Sequence, residues 1–272
     1  MRNILKFFTG LAFILIMSSK LSADLKKIEL QWFGQSAFKI TTAGKVILID
    51  PYFTQNPKTP EEYKNLDNLG KIDLILITHG HGDHVGDAVA LSKKNQAPIY
   101  APAGLNSVFN ALGELPENLT PKMNKGGTVA PLGSLVKISM VHAEHSSEYS
   151  VKNESTGKTT MHPGGEPVGF LLEFENGFKI YHMGDTDLFG DMKIIGEKFK
   201  PDLILIPIGG NFTMDPKTAA EATKDYLKPK IAIPIHYGTT PLLKGTPEEY
   251  IKALGDSPTK VIVMQPGEKL IF

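Results

Sequence analysis

Thr78-His79-Gly80-His81-Gly82-Asp83-His84 is the stretch on which the reading of this chain turns. Three of the chain's 8 histidines and one aspartate fall between positions 79 and 84. Neutral imidazole and carboxylate are the groups that hold zinc, manganese or iron at neutral pH. His79 and His81 stand too close in sequence to share a helix face, which needs a spacing of three or four. They suit a loop that curls round a metal. The preceding Asp73-Leu74-Ile75-Leu76-Ile77 reads as a buried strand, so the cluster sits at a strand's carboxyl end, where open α/β sheets place their ligands. The plain alternative is a polar loop with surface histidines. Residue types, spacing and strand context speak together against it.

Outward from the cluster, strand-like and helix-like runs alternate. Residues 28–33, 38–41 and 46–49 read as an opening meander of strands, with a turn at Gly44-Lys45. Residues 51–70 are polar, proline-bearing and irregular, a loop over the site. A helix is expected over 85–95, a short strand over 99–101, a helix over 105–112 and an alternating strand over 135–141. The polar, glycine-rich stretch 142–167 reads as a long functional or mobile loop. Residues 168–173 and 179–182 form a hairpin around Asn176-Gly177. Apolar strands follow at 203–207 and 231–234, separated by a helix over 216–227 that opens with Asp215 as cap and Pro216 as first residue. Strands at 261–264 and 269–272 close the chain. No short-period repeat and no dividing linker is visible. The pattern suits an α/β protein with two sheets face to face and helices outside.

The first residues differ in kind. Arg2 and Lys6 precede an uncharged apolar run from Phe7 to Met17, followed by Ser18-Ser19-Lys20-Leu21-Ser22-Ala23. A basic start, an apolar centre and a small residue at the cut make a secretory signal over 1–23, and the domain then runs over 24–272. The centre falls short of the ~20 residues of a membrane span, so no stable span is expected after cleavage. An uncleaved anchor and a buried N-terminal helix are the alternatives. The signal implies a secreted or periplasmic protein. Loss of Arg2, Lys6 and Lys20, with no acid, takes the formal charge from +0 to −3, leaving 26 basic against 29 acidic residues. That balance argues against nucleic acid as a partner. The chain has 0 cysteines, which excludes disulfides and thiolate ligands. Hydrophobic content of 41% is ordinary for a globular core.

His79-x-His81-x-Asp83-His84 after a hydrophobic strand resembles the signature of the metallo-β-lactamase superfamily. Trp32-Phe33-Gly34-Gln35-Ser36-Ala37-Phe38 and Ile47-Leu48-Ile49-Asp50-Pro51 look like its first strands. Met183-Gly184-Asp185-Thr186 looks like its later aspartate motif, and Ile235-His236-Tyr237-Gly238 like its last histidine motif. Ile208-Gly209-Gly210-Asn211-Phe212-Thr213-Met214 is similar to a run in the metal-dependent hydrolases near the ascorbate-6-phosphate lactonases. The resemblance implies a four-layer αββα sandwich with the metals in a cleft along one edge of the sheets.

The arrangement of the first cluster suggests two divalent metal ions, His79 and His81 serving one, Asp83 and His84 the other. By resemblance, His145 completes the first site, Asp185 bridges both and His236 completes the second. His142 competes with His145, although Ser146-Ser147 after His145 matches the family's run better. Zinc is favoured, and manganese or iron suit the same donors. Asp83 and Asp185 are the catalytic candidates, Asp83 also as a carrier of protons. Asp50 is either a partner that fixes a ligand's tautomer or a strand-end cap. His182 reads as structural, and His162 as a surface-loop residue.

A bound metal lowers the pKa of water from 15.7 to about 7, so the expected chemistry is attack by hydroxide on a small ester, lactone or phosphodiester. The substrate would be a small or lipid-like molecule. A β-lactamase-type amide hydrolase and a non-catalytic envelope metal-binding protein are the alternatives. Di-iron redox relatives place a glutamate where this chain has His81, which disfavours an oxidoreductase.

Overall fold

The computed structural model describes residues 27–153 and 155–272. The secretory-signal reading over 1–23 lies outside the described residues.

The chain opens with β1 (Ile28–Trp32), β2 (Phe38–Thr42) and β3 (Lys45–Ile49), an antiparallel meander. The irregular segment that follows carries the one-turn helix α1 (Glu61–Lys64). Strand β4 (Leu74–Leu76) then joins β3 in parallel. Helices α2 (Gly82–Val85) and α3 (Ala88–Asn95) lead to β5 (Ile99–Tyr100) and α4 (Ala103–Ala111). A second sheet begins with β6 (Thr128–Val129) and β7 (Val136–His142). A separate hairpin, β8 (Glu148–Lys152) with β9 (Thr159–Pro163), precedes β10 (Val168–Phe174) and β11 (Lys179–His182). Helix α5 (Met192–Phe199), β12 (Leu203–Pro207), α6 (Pro216–Glu221, continued as π-helical turns over Ala222–Leu227), β13 (Ile231–Ile235) and α7 (Pro247–Leu254) follow. Strand β14 (Lys260–Val261) ends the second sheet, and β15 (Lys269–Ile271) returns to pair with β1.

The strand orders are β15-β1-β2-β3-β4-β5 and β14-β13-β12-β11-β10-β7-β6. Period-two alternation makes the layers. In β3, Ile47 and Ile49 point between the sheets while Leu48 points to the outer layer. In β12, Leu203 and Leu205 point between the sheets, and Ile204 and Ile206 point outward. The central apolar layer joins Phe38, Ile40 and Leu76 to Ile138, Phe170 and Ile233. Leu91 of α3 and Leu105 and Phe109 of α4 cover the first sheet's outer face, while Ile195, Ala219 and Tyr250 from α5, α6 and α7 cover the second's. This is the αββα sandwich. Among the described residues no helix is long and apolar enough to cross a membrane.

Three expectations are corrected. The helix expected over 85–95 is broken at Gly86 and Asp87. Gly86 has φ +41, and a Cβ there would stand 2.6 Å from the Pro51 carbonyl oxygen, so the chain turns sharply against that loop. Asp87 then receives the backbone N–H groups of Phe53 (2.9 Å) and Thr54 (3.0 Å), which pins the loop after β3. The stretch 142–167 is not a plain loop, because β8 and β9 pair from Glu148↔Pro163 to Lys152↔Thr159. The strand expected over 261–264 is confined to Lys260–Val261.

Candidate metal centre

Five chain segments leave strands at the same edge of the sandwich and bring polar residues of the following loops together. Asp50 follows β3, the Thr78–His84 run follows β4, His145 follows β7, Asp185 follows β11 and His236 follows β13. Two of these turns are abrupt: Asp50 has φ +46 and His236 φ +54, left-handed values that non-glycine residues seldom adopt. Cross-loop bonds fix the arrangement. Val168 N–H donates to the Thr78 carbonyl (3.0 Å), Glu144 N–H to Thr186 Oγ1 (3.0 Å), Asp187 N–H to the Glu144 carbonyl (3.0 Å) and His236 N–H to the Gln35 carbonyl (3.2 Å).

All seven side chains singled out in the sequence meet here. Three groups have ligand atoms within 4.8 Å of one another: His79, His81 and His145; His79, His84 and Asp185; and Asp83, His84 and His236. Nε2 of His79 lies 3.0 Å from Nδ1 of His81. Asp185 lies between the groups, with Oδ1 3.4 Å from Nε2 of His84, and Oδ2 3.1 Å from Nε2 of His236 and 3.8 Å from Nε2 of His145. Asp83 Oδ2 is 3.4 Å from Nε2 of His236 and 3.8 Å from Nε2 of His84.

These separations suit cations. Ligand atoms about 2.1 Å from a tetrahedral ion stand about 3.4 Å from each other. Nε2 of His84 and Oδ1 of Asp185 are both buried, face each other at that spacing and make no hydrogen bond. Orphaned buried polar atoms cost about 1–3 kcal/mol each, and a cation between them removes the deficit.

The charges complete the case. Burial would depress His84 and His236, yet neighbouring carboxylates outweigh it: Asp185, Asp50 and Asp83 hold His84 well above the usual imidazole range, and Asp185 and Asp83 raise His236 to about 9. Burial would raise the two carboxyls, yet His236 and His84 hold Asp185 well below the usual range, and His84 and His236 do the same for Asp83. Burial, then His84, pushes His79 down, and burial pushes His145 down. Without ions, the carboxylates favour positive charge on His84 and His236, the same preference that bound cations would satisfy.

Three ring groups have their own holder. Asp50 is fully buried, accepts Thr78 N–H (2.8 Å) and Thr78 Oγ1–H (2.7 Å), and meets Nδ1 of His84 at 2.7 Å. Thr78 Oγ1 is 3.0 Å from Nδ1 of His79, and Glu148 Oε2 is 3.2 Å from Nε2 of His81. Asp50 therefore fixes tautomers rather than merely ending a strand.

The other histidines stand apart from the three groups. His142 lies against Lys125, Glu144 and the Phe189 ring, so His145 is the histidine of the β7 loop that joins the cluster. His182 is buried between the Ser36 carbonyl (2.9 Å) and Gly184 N–H (3.2 Å). His162 sits on β9 beside a cavity lined by Ser147, Glu148 and Met161. Met214 belongs to the outer core, and Phe212 is exposed. Gln35, which the sequence marks only as part of the strand-like Trp32–Phe38 run, donates from Nε2 to Asp83 Oδ2 at 2.9 Å.

A beta-lactamase superfamily domain matches residues 45–237, a span that holds all seven clustered side chains. A UPF0173 metal-dependent hydrolase of Polaromonas sp. is 58% identical over 247 residues, covering 90% of this chain and 90% of its own length. Another from Cupriavidus necator is 56% identical over 249 residues, covering 90% of this chain and 86% of itself. Among solved structures, a metallo hydrolase of the hyperthermophilic archaeon Ignicoccus hospitalis is similar with a TM-score of 0.77 at 32% identity, over 90% of this chain and 98% of that one.

Proposed function

Because this chain belongs to the UPF0173 metal-dependent hydrolases and carries the beta-lactamase superfamily domain, we propose that its hydrolase centre holds two divalent ions and opens small cyclic or linear esters, with phosphodiesters the next class. The observation that carries this reading is the position of Asp185, whose two oxygens face His84, His145 and His236. One ion position uses His79, His81 and His145, the other Asp83, His84 and His236, and Asp185 serves both. Zinc suits these nitrogen and oxygen donors best, with manganese or iron as substitutes.

Ions held there supply Lewis acidity and a nucleophile at neutral pH. The chain's own groups do the rest. His79, His84, Asp185 and His236 are buried, while Asp83 (34% side-chain exposure) and His81 (31%) face the opening, so substrate enters past them. Asp83 would be kept ionised by the ion it helps to hold, so its free oxygen accepts a hydrogen bond from the attacking water and aligns it. Asp185 holds the buried imidazoles in register. No serine or cysteine nucleophile is required.

Protein stripped with a chelator is expected to lose hydrolysis and to regain it with zinc, manganese or iron added singly. A screen over lactones, carboxylic esters, phosphodiesters and β-lactams should show return on the esters. Return on phosphodiesters alone would reverse the order of preference, and no return with any metal would remove the reading.

The signal-like start supports export, where the ions would be acquired or kept outside the cytoplasm. Mass spectrometry of the exported protein should find an N-terminus at Asp24. A full-length chain held in the cytoplasm contradicts this.

A further inference from the structure

The turn between β1 and β2 is built to aim one side chain. Phe33 N–H donates to the Ala37 carbonyl (3.0 Å) and Ala37 N–H to the Gly34 carbonyl (3.1 Å). Gly34 has φ +95, and a Cβ there would meet Lys58 Cβ at 2.7 Å. Gln35 next to it has φ +52, a left-handed conformation that is unfavourable for a side chain of its kind. Its carbonyl is held twice, by Trp32 Nε1–H (3.0 Å) and by His236 N–H (3.2 Å). The strained backbone thus ties the turn to a residue of the metal centre.

Its side chain completes the tie. Gln35 is 3% exposed, its Nε2 donates to Asp83 Oδ2 at 2.9 Å, and the same nitrogen lies 2.9 Å from Nε2 of His236. Its Oε1 is buried without a partner, a cost the fold bears for pointing the donor end at Asp83. Thr78 holds His79, Asp50 holds His84 and Glu148 holds His81, whereas Asp83 is held from Gln35. The Gln35 amide nitrogen contacts Asp83 and His236, both of the same group, and not His79, His81 or His145.

We propose that Gln35 is a positioning residue for one ion position alone, the one formed by Asp83, His84 and His236. This rests on the two-ion reading above. One hydrogen of its amide is donated to Asp83 Oδ2 and fixes that carboxylate beside His84 and His236; the other, which faces Nε2 of His236 in the metal-free protein, turns off that nitrogen when an ion binds. A neutral donor suits this role. An ionised glutamate cannot donate, and a lysine would bring a competing cation into the position.

Zinc titration of the metal-free full chain, read by chelator competition, separates the two uptake steps. Gln35→Met keeps the side chain's length and removes the donor. It is expected to weaken the step that Asp83→Asn weakens by about 10- to 100-fold, the range for lost partners of metal ligands, and to leave the step that His79→Ala weakens at its wild-type value. Gln35→His restores an N–H donor and should recover most of the loss. With cobalt in place of zinc, the visible spectrum of the affected step should shift in the methionine variant and return in the histidine variant. Thermal melting of each metal-free variant separates loss of aim from loss of fold. Unchanged steps, equal weakening of both, or no recovery with histidine overturns the role of Gln35. A wild type that takes up a single ion overturns the two-ion reading, and that is seen before any variant is made.

Discussion

Asp185→Asn is expected to leave the protein folded, short of about one ion per chain, and slower in hydrolysis by at least about 10²–10³-fold, the range for removing one preorganised charge-stabilising group. The carboxylate is 3% exposed and sits where the β11 chain turns at Gly184. That glycine has φ +65, and a Cβ on it would stand 2.8 Å from Thr78 Cβ, so Asp185 is carried hard against the Thr78–His84 run. Asparagine keeps the shape and loses the charge. It also presents an NH₂ group toward at least one of His84, His145 and His236, which lie 3.4, 3.8 and 3.1 Å from the two carboxylate oxygens. A donor aimed at an imidazole lone pair competes with any ion there. In the metal-free state His84 and His236 lose the counter-charge that outweighs their burial, so both shift back toward neutrality. Metal analysis beside steady-state kinetics checks this. Wild-type ion content in the variant would remove Asp185 from the shared position.

The sequence made the fold and half of the centre legible for local reasons. His79 to His84 are contiguous, and the strand before them is uniformly apolar, so both types and spacing can be read in one window. His145, Asp185 and His236 lie far apart, and each alone is an ordinary turn residue; only the resemblance marked them, and only strand order brings them to one edge. Asp50 was ambiguous because a strand-end aspartate caps or orients with equal ease. Its three contacts with Thr78 and His84 decide the matter. Gln35 carries no signal beyond its place in the Trp32–Phe38 run, since its role comes from a left-handed φ and a long-range contact. The β8–β9 hairpin leaves no pattern in the sequence because it lies outside both main sheets and none of β8 is fully buried, so no apolar alternation is imposed on it. Helix α7 carries a local start signal in the sequence: Thr246 and Glu249 form a reciprocal capping box with Pro247 at the first turn.

Asp50 is where stability and ion binding can be separated by two substitutions at one atom pair. Its side chain is fully buried and bonded to Thr78 N–H (2.8 Å), Thr78 Oγ1–H (2.7 Å) and Nδ1 of His84 (2.7 Å). Asp50→Ala leaves Thr78 N–H without its acceptor and takes the buried carboxylate away from His84. Breaking a buried ionic contact from one side costs about 3–5 kcal/mol, which denaturant unfolding of the metal-free protein should show. Asp50→Asn keeps the volume and can still accept Thr78 N–H, so about 1–3 kcal/mol is expected instead. Its NH₂ group, however, faces Nδ1 of His84 and Oγ1 of Thr78. His84 must then accept at Nδ1, which puts its proton on Nε2, the nitrogen that faces Asp185. Thr78 Oγ1, now an acceptor from the amide, turns its own proton to Nδ1 of His79 at 3.0 Å, and His79 likewise carries its proton on Nε2. One substitution thus sets the wrong tautomer in an imidazole of each ion position. Zinc titration should find both uptake steps weakened by about 10- to 100-fold in a protein destabilised far less than Asp50→Ala, unlike the Gln35 variants, which weaken one. Zinc binding in Asp50→Asn as tight as in the wild type would show that Asp50 holds the fold and not the tautomers.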